Sequence, residues 1–440
     1  MNSSPLENLS GDVMEPKKER KISVKLFALI MALAILITAV AAVMATSVFL
    51  HRAYQKQLNS YISALATDPY YTLDEVRRLF GAYYIGDISQ LTDEQITDAL
   101  IRMYIAQTGD LYAQYWNKEE YEQYNKSMQG EEIGIGVIVN YDAEKRAICI
   151  LYVHEASPAE KAGCLIGDNI VAVEGERVAD IGYEAAVTKI KGDVGTNVSF
   201  TVERDGEEKT LTATREKFTS VSVVSKMLSD NKTAYIRLLQ FDGTTVEQFA
   251  KAYLDLEASG AESFIFDVRG NPGGALGSVM GVLSFLLGND VPLIEISDNS
   301  DGIVIQNSSR ATYCTGQYSK TKTTVHDKNT VVLVDEYTAS AGELFTAVLN
   351  SRYTTIGIKT FGKGVMQRTF QLPNGGAVKL TFAKYTSPGV ENYDGVGITP
   401  DIIQELSEDV KGKNLFTLTE DQDDQLQAAL KALYGTPSAQ

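Results

Sequence analysis

At 440 residues the chain exceeds one ordinary domain, and two or three are expected. Its formal net charge of −17 argues against nucleic acid or anionic surfaces as partners and suits a soluble body. The three cysteines, Cys149, Cys164 and Cys314, have no metal-like spacing, and an odd number excludes complete internal pairing.

Residues 1–25 form a polar N-terminus that carries Lys17, Lys18, Arg20, Lys21 and Lys25. Leu26 to Leu50 is an uninterrupted, uncharged, mostly apolar run, long enough to span a bilayer as a helix. Only Arg52 and Lys56 follow closely, so the positive-inside bias puts the N-terminus in the cytoplasm and the remainder outside. A cleavable signal peptide is the alternative, with Val43-Met44-Ala45 as cleavage site and a secreted or periplasmic product. The run is longer than a usual signal core, which favours a retained single-pass anchor over residues 26–50.

Residues 51–128 read as helical. Leu73, Val76, Leu79 and Phe80 follow Thr72 at helical spacing. Thr92-Asp93-Glu94-Gln95 is a capping signal before Ile96, Leu100, Ile101 and Tyr104. An aromatic stripe here is more often core or dimer interface than a ligand site. Residues 129–218 alternate short apolar runs with turns, at Val137–Val139, Ile148–Val153, Ile170–Val173 and Val198–Val202, and Tyr183–Ile190 offers a helix. Cys149 and Cys164 lie in these apolar surroundings as small buried side chains.

Residues 219–440 repeat strand, glycine-bearing turn and helix. The strand candidates are Ala234–Leu238, Phe264–Phe266, Val331–Val334 and Thr354–Ile356, and the helices Val246–Glu257, Leu276–Leu287 and Ala341–Leu349. A last short helix, Gln425–Leu433, follows the acidic stretch Glu420–Asp424. The alternation predicts an α/β domain with its active groups at strand-to-helix turns.

Two of those turns carry chemistry. In Thr338-Ala339-Ser340-Ala341-Gly342-Glu343 a serine sits where backbone N–H groups and a helix dipole favour developing negative charge. In Gly362-Lys363-Gly364-Val365-Met366-Gln367 a lysine lies between glycines, and it can deprotonate a serine if burial keeps its amine neutral. Each has an ordinary explanation. Ser340 with Glu343 is also a capping box. Gly357 to Lys363 fits half of a phosphate loop, but Gly364 replaces the magnesium-binding hydroxyl and a strand-like stretch follows. The three histidines, His51, His154 and His326, offer few candidates for a triad, and neither Gly-x-Ser-x-Gly nor His-Glu-x-x-His occurs. Lysine is therefore the better base, with no metal or organic cofactor implied.

Four segments in order resemble the carboxyl-terminal processing peptidases, also called tail-specific proteases. They are Gly109-Asp110-Leu111-Tyr112 with Lys118-Glu119-Glu120-Tyr121, leading to Gly134-Ile135-Gly136-Val137; Ser157 to Gly163 with Gly167-Asp168-Asn169-Ile170; Asp267 to Gly274; and the serine and lysine segments. The resemblance implies a protease core of the Clp protease–crotonase type with a PDZ-like domain over residues 129–218. It also implies that Ser340 is the nucleophile, Lys363 the general base and Gln367 the residue that orients the lysine amine. Gly273 or Gly274, with Ala341, would form the oxyanion hole. Gly134, Ile135, Gly136 and Val137 would capture the carboxylate of an apolar protein tail, while the helical region would support a homodimer or higher oligomer.

The sequence departs from the family at Thr338 and Gly342, where serine is common, and at Met366, where valine is common. Lys191 stands where the peptide-binding domain often has arginine, and lysine lacks the bidentate fork. Two other function classes fit less well. A catalytically inactive tail-binding scaffold would bind peptides without cutting them. An acyl-CoA-type enzyme of the same superfold would turn over a coenzyme A thioester, and a PDZ insert serves no evident purpose there.

Overall fold

The computed structural model describes residues 23–66, 69–88, 90–129, 131–298, 302–313 and 326–435. Cys314 lies outside them. The chain divides into two compact units that meet between Ile96 and Thr97. In the first, one helix runs from Val24 to Ala66, and its 43 residues span about 60 Å at helical rise. That exceeds a bilayer core of about 30 Å, and its apolar side chains from Leu26 to Leu50 are exposed on every face. The helix is long and apolar enough to cross a membrane. A second helix, Pro69–Tyr83, follows it.

The expected cap opens the helix Asp93–Gln107, on which the division between the units falls. Thr92 N–H donates to Gln95 Oε1 at 3.0 Å and Gln95 N–H to Thr92 Oγ1 at 3.2 Å. The helical region 51–128 holds the helices Pro69–Tyr83, Asp93–Gln107 and Lys118–Met128 and one short strand that the sequence reading did not anticipate. Gln114–Trp116 is a strand paired antiparallel with Ala377–Thr386, and Lys118–Met128 resumes the helix. The cause is tertiary: an open sheet edge accepts these residues, and the Trp116 ring stacks on Tyr124 with centroids 4.1 Å apart.

The PDZ-like portion is a sheet in the order Val137–Asp142, Ala147–Val153, Asn169–Val173, Asn197–Arg204, Glu207–Thr214. It closes over a core that includes Ile148, Ile150, Ile170, Val198, Phe200 and Val202. The helix Tyr183–Ile190 forms as read from the sequence. Strands Glu131–Gly134 and Glu216–Thr219 pair where the chain enters and leaves this portion. A 3-10 turn at Leu415–Thr417 packs against it and against the larger sheet: the Phe416 ring lies 5.1 Å from Tyr152 and 4.2 Å from the guanidinium of Arg237, on strand Thr233–Leu238.

The remaining mass is built on a six-stranded sheet in the order Val223–Met227, Thr233–Leu238, Ser263–Asp267, Asn329–Val334, Thr354–Gly357, Ile402–Ile403. All pairings after the first are parallel. Parallel strands buried on both faces should be apolar without alternation, and Ser263–Asp267 is an instance. Phe264 and Phe266 face one cluster with Leu344 and Phe345, whereas Ile265 faces another with Leu426 of the last helix. The crossover helices are Thr245–Ala258, Leu276–Leu287 and Ala341–Asn350. A separate antiparallel sheet contains Val365–Gln371 and Ala377–Thr386.

Beyond strand Ser263–Asp267 the chain is pinned by Arg269, which is 1% exposed. Its guanidinium donates to Asp267 and Asp423 carboxylates and to Gln425 Oε1. A buried charge keeps its ionisation only when paired this completely. The network fixes the start of the Asn271-Pro272-Gly273-Gly274 turn against the C-terminal helix Asp424–Tyr434.

Candidate active site

Ser340 stands at the turn between the buried strand Asn329–Val334 and the buried helix Ala341–Asn350. Its backbone has φ +55° and ψ −115°, a region that side chains other than glycine rarely occupy. Such strain persists only where surroundings over-determine it, and here they do. Thr338 Oγ1 donates to Val268 O at 2.8 Å, Ala339 N–H to Asn271 O at 2.9 Å, and Ser340 N–H to Glu343 Oε2 at 2.9 Å. The departures at 338 and 342 fit each other. A Cβ at Gly342 would sit 3.3 Å from the Thr338 methyl, so the branched residue at one position goes with the absent side chain at the other.

Gly273 lies directly beside the serine, and Gly274 follows it against Phe241. Both have positive φ, and a Cβ on Gly273 would meet Ser340 Cβ at 2.7 Å and Ala341 N at 2.9 Å. On Gly274 it would meet Phe241 O at 2.0 Å. The two glycines differ in what their N–H groups do. Gly273 N–H donates to Asn271 Oδ1 at 2.8 Å. Gly274 N–H has no hydrogen-bond partner among the described residues. Of the pair, Gly274 is the one with a donor to offer.

Lys363 reaches this place through Glu343, whose role as a bridge sequence reasoning missed. The capping reading was half of the truth: the carboxylate caps Ser340 but also ties in the lysine loop. Glu343 is fully buried and accepts four bonds, from Ser340 N–H, Lys363 N–H at 2.8 Å, Gly362 N–H at 2.7 Å and Thr360 Oγ1 at 2.7 Å. Tyr385, buried, donates its hydroxyl to Lys363 O at 3.2 Å and lies 3.5 Å from Ser340 Oγ. Burial holds the Tyr385 phenol above the usual range, so it remains a donor.

The Lys363 side chain is half-buried, and burial, helped by the nearby Lys379, pulls its amine below the ordinary lysine value. Asp110, Glu343 and Asp394 act in the opposite sense. Nζ does not hydrogen-bond Ser340 Oγ; it lies over the Tyr112 ring, 4.3 Å from the centroid. Gln367 has another partner than the lysine amine, since its Nε2 donates to Thr381 Oγ1 at 3.1 Å. Thr381 in turn donates to the Asp110 carboxylate from both N–H and Oγ1. Tyr112 ends a segment shared with the family but has no site role in the sequence reading, and Tyr385 lies in none of the family segments.

The rivals fare poorly. His326 is enclosed by aromatic rings, with Nδ1 2.8 Å from the Tyr253 hydroxyl and Nε2 2.6 Å from Thr330 Oγ1. Burial lowers its pKa to about 4. It is a satisfied core histidine. The segment from Gly357 to Lys363 leads into a strand, Val365–Gln371, where a phosphate loop would need a helix. Cys164 is buried and its thiol pushed up to about 11 by that burial, while Cys149 is only half-buried. Among the described residues no three His, Cys, Asp or Glu side chains gather as metal ligands.

In the PDZ-like portion, Ile135 is buried and its carbonyl accepts from Ala159 N–H at 2.7 Å, while Gly136 O accepts from His154 N–H at 3.0 Å. These bonds fix the Gly134–Val137 loop at the head of strand Val137–Asp142, an edge of its sheet. Lys191 is exposed just after the helix Tyr183–Ile190. The guanidinium at that corner belongs to Arg215, which donates to the Lys189 and Ile190 carbonyls.

The Peptidase family S41 profile matches residues 232–404, and a PDZ domain profile matches residues 132–214. A carboxyl-terminal-processing protease of Picosynechococcus is 32% identical over 303 residues, covering 68% of this chain and 70% of its own. The carboxy-terminal processing protease CtpB of Bacillus subtilis is 29% identical over 336 residues, covering 75% and 67%. A solved S41 structure from Bacteroides fragilis shares the fold, with a TM-score of 0.52 at 16% identity over 80% of this chain and 93% of that one. The fold, the glycine turn packed on a strained serine, and these likenesses agree: the chain belongs to the S41 carboxyl-terminal processing peptidases, serine peptidases that carry a PDZ domain.

Proposed function

We propose that the protein is a single-pass, membrane-anchored endopeptidase whose catalytic body lies outside the cytoplasm and which cleaves proteins with apolar C-terminal tails. The observation that carries the reading is the Glu343 clamp, which holds the backbones of Ser340 and Lys363 on one carboxylate. Ser340 Oγ attacks the scissile carbonyl, Lys363 accepts its proton and then protonates the leaving amine. The N–H groups of Gly274 and Ala341 stabilise the oxyanion. Gln367 steadies the base through Thr381 and Asp110.

For the attack, the Lys363 amine moves from the Tyr112 ring to Ser340. The tail docks as an added strand on Val137–Asp142, with its carboxylate at the Gly134–Val137 loop and Lys191 nearby. Docking raises the concentration of the adjoining chain at the serine. The boundaries that go with this reading are 1–25 cytoplasmic, 26–50 anchor, 51–128 helical with its inserted strand, 129–218 peptide-binding and 219–440 catalytic. The helical region would support self-assembly.

The test uses the full chain in detergent with an unfolded substrate ending in apolar residues, the products being read by mass spectrometry. Ser340→Ala and Lys363→Ala should each lose about 10³-fold or more in cleavage. Cleavage surviving Lys363→Ala would remove the dyad.

A further inference from the structure

Gly109-Asp110-Leu111-Tyr112 lies before both matched domains, yet it supplies part of the active-site wall. Asp110 docks this loop on strand Ala377–Thr386 through Thr381 N–H at 2.8 Å and Thr381 Oγ1 at 2.9 Å. Its carboxylate also accepts from Tyr112 N–H at 3.0 Å, which fixes the tyrosine relative to the docking point. The partly buried Tyr112 ring ends beneath Lys363 Nζ, 4.3 Å from the centroid. An aromatic face attracts an ammonium ion but has no such attraction for a neutral amine.

We propose that Tyr112 is the seat of protonated Lys363: its ring holds the ammonium away from Ser340 and releases the amine once the proton has gone. Tyr112 is then a positioning residue that couples the protonation of the base to its location. The inference rests on the reading of Lys363 as base. The charged groups around the amine are Asp110 on the same loop, Glu343 on the helix after the serine, Asp394 on the loop beyond Ala377–Thr386, and Lys379 on that strand. The three carboxylates and the ring favour the ammonium, against burial and Lys379. Removing the ring takes away one favourable contribution and leaves the others in place.

The decisive measurement is the pH dependence of trace acetylation of Lys363, followed by peptide mass spectrometry on the full chain in detergent. A Ser340→Ala background prevents self-digestion and makes the readout independent of peptidase activity. Tyr112→Leu should lower the labelling midpoint by about 0.4 to 1.5 pH units, whereas Tyr112→Phe should leave it in place. With Ser340 restored, the acid limb of kcat/KM for Tyr112→Leu should move down by the same amount. An unmoved labelling midpoint in Tyr112→Leu, or an equal drop in Tyr112→Phe, overturns the proposal. A labelling shift without a matching shift of the acid limb leaves the seat standing and removes Lys363 as base. Should Tyr112→Leu not fold, fluorinated phenylalanines at 112 keep the ring's size while weakening its face. Their midpoints must then fall in order of fluorination, and a flat series overturns the proposal.

Discussion

Replacing Glu343 with glutamine tests the clamp more directly than any change to the serine or lysine. Oε2 accepts from Ser340 N–H at 2.9 Å and Lys363 N–H at 2.8 Å, and Oε1 accepts from Gly362 N–H and Thr360 Oγ1, both at 2.7 Å. All four bonds go to a carboxylate in a site closed to solvent. An amide has one acceptor oxygen: with its NH₂ toward Ser340 and Lys363 it faces two backbone donors, and with its NH₂ toward Gly362 and Thr360 it faces one, since the Thr360 hydroxyl can turn to accept. One charge-assisted bond is therefore lost in the better orientation and two in the other, each contributing about 1.5–3 kcal/mol, for a total of about 1.5–6 kcal/mol. A domain's whole stability is about 5–15 kcal/mol, so urea unfolding followed by fluorescence should report a large drop in midpoint. The backbones of Ser340 and Lys363 would also separate. A misplacement of about 1 Å costs about 10²-fold in rate, so kcat/KM should fall at least that far in molecules that remain folded. Glu343→Gln protein that unfolds within about 1 kcal/mol of wild type and cleaves at a comparable rate would refute the reasoning.

Gly273→Ala should abolish cleavage while leaving the PDZ portion able to bind peptide, because its Cβ would displace Ser340 Cβ from 2.7 Å; tail binding by fluorescence anisotropy alongside the cleavage assay checks both halves. His326 should make stability depend on acid pH. Its folded pKa of about 4 lies below the unfolded value of about 6.5, so the unfolded chain binds a proton first as pH falls. Stability that is complete above pH 6.5 is lost on descending to about 4, by about 3 kcal/mol from this group. A His326→Gln variant should lack that part of the slope in urea titrations at several pH values.

The sequence by itself settled what depends on short-range pattern. The apolar run after Lys25, the Thr92 cap, the helix Leu276–Leu287 and the strand-turn-helix around Ser340 are all local consequences of hydrophobicity and backbone preference. Motif order, through the family resemblance, groups Ser340, Lys363 and the glycine turn. Tertiary structure decided what depends on partners distant in the chain. Gln114–Trp116 became a strand because the edge of Ala377–Thr386 was open, against the helical character of its neighbours. Glu343 acquired four donors from two segments, Gln367 turned to Thr381, and Tyr112 came to lie under Lys363 across some 250 residues of chain. No periodicity encodes such meetings. They follow from how sheets and loops close on one another, and a buried hydrogen bond or a ring under an ammonium is chosen only after that closure.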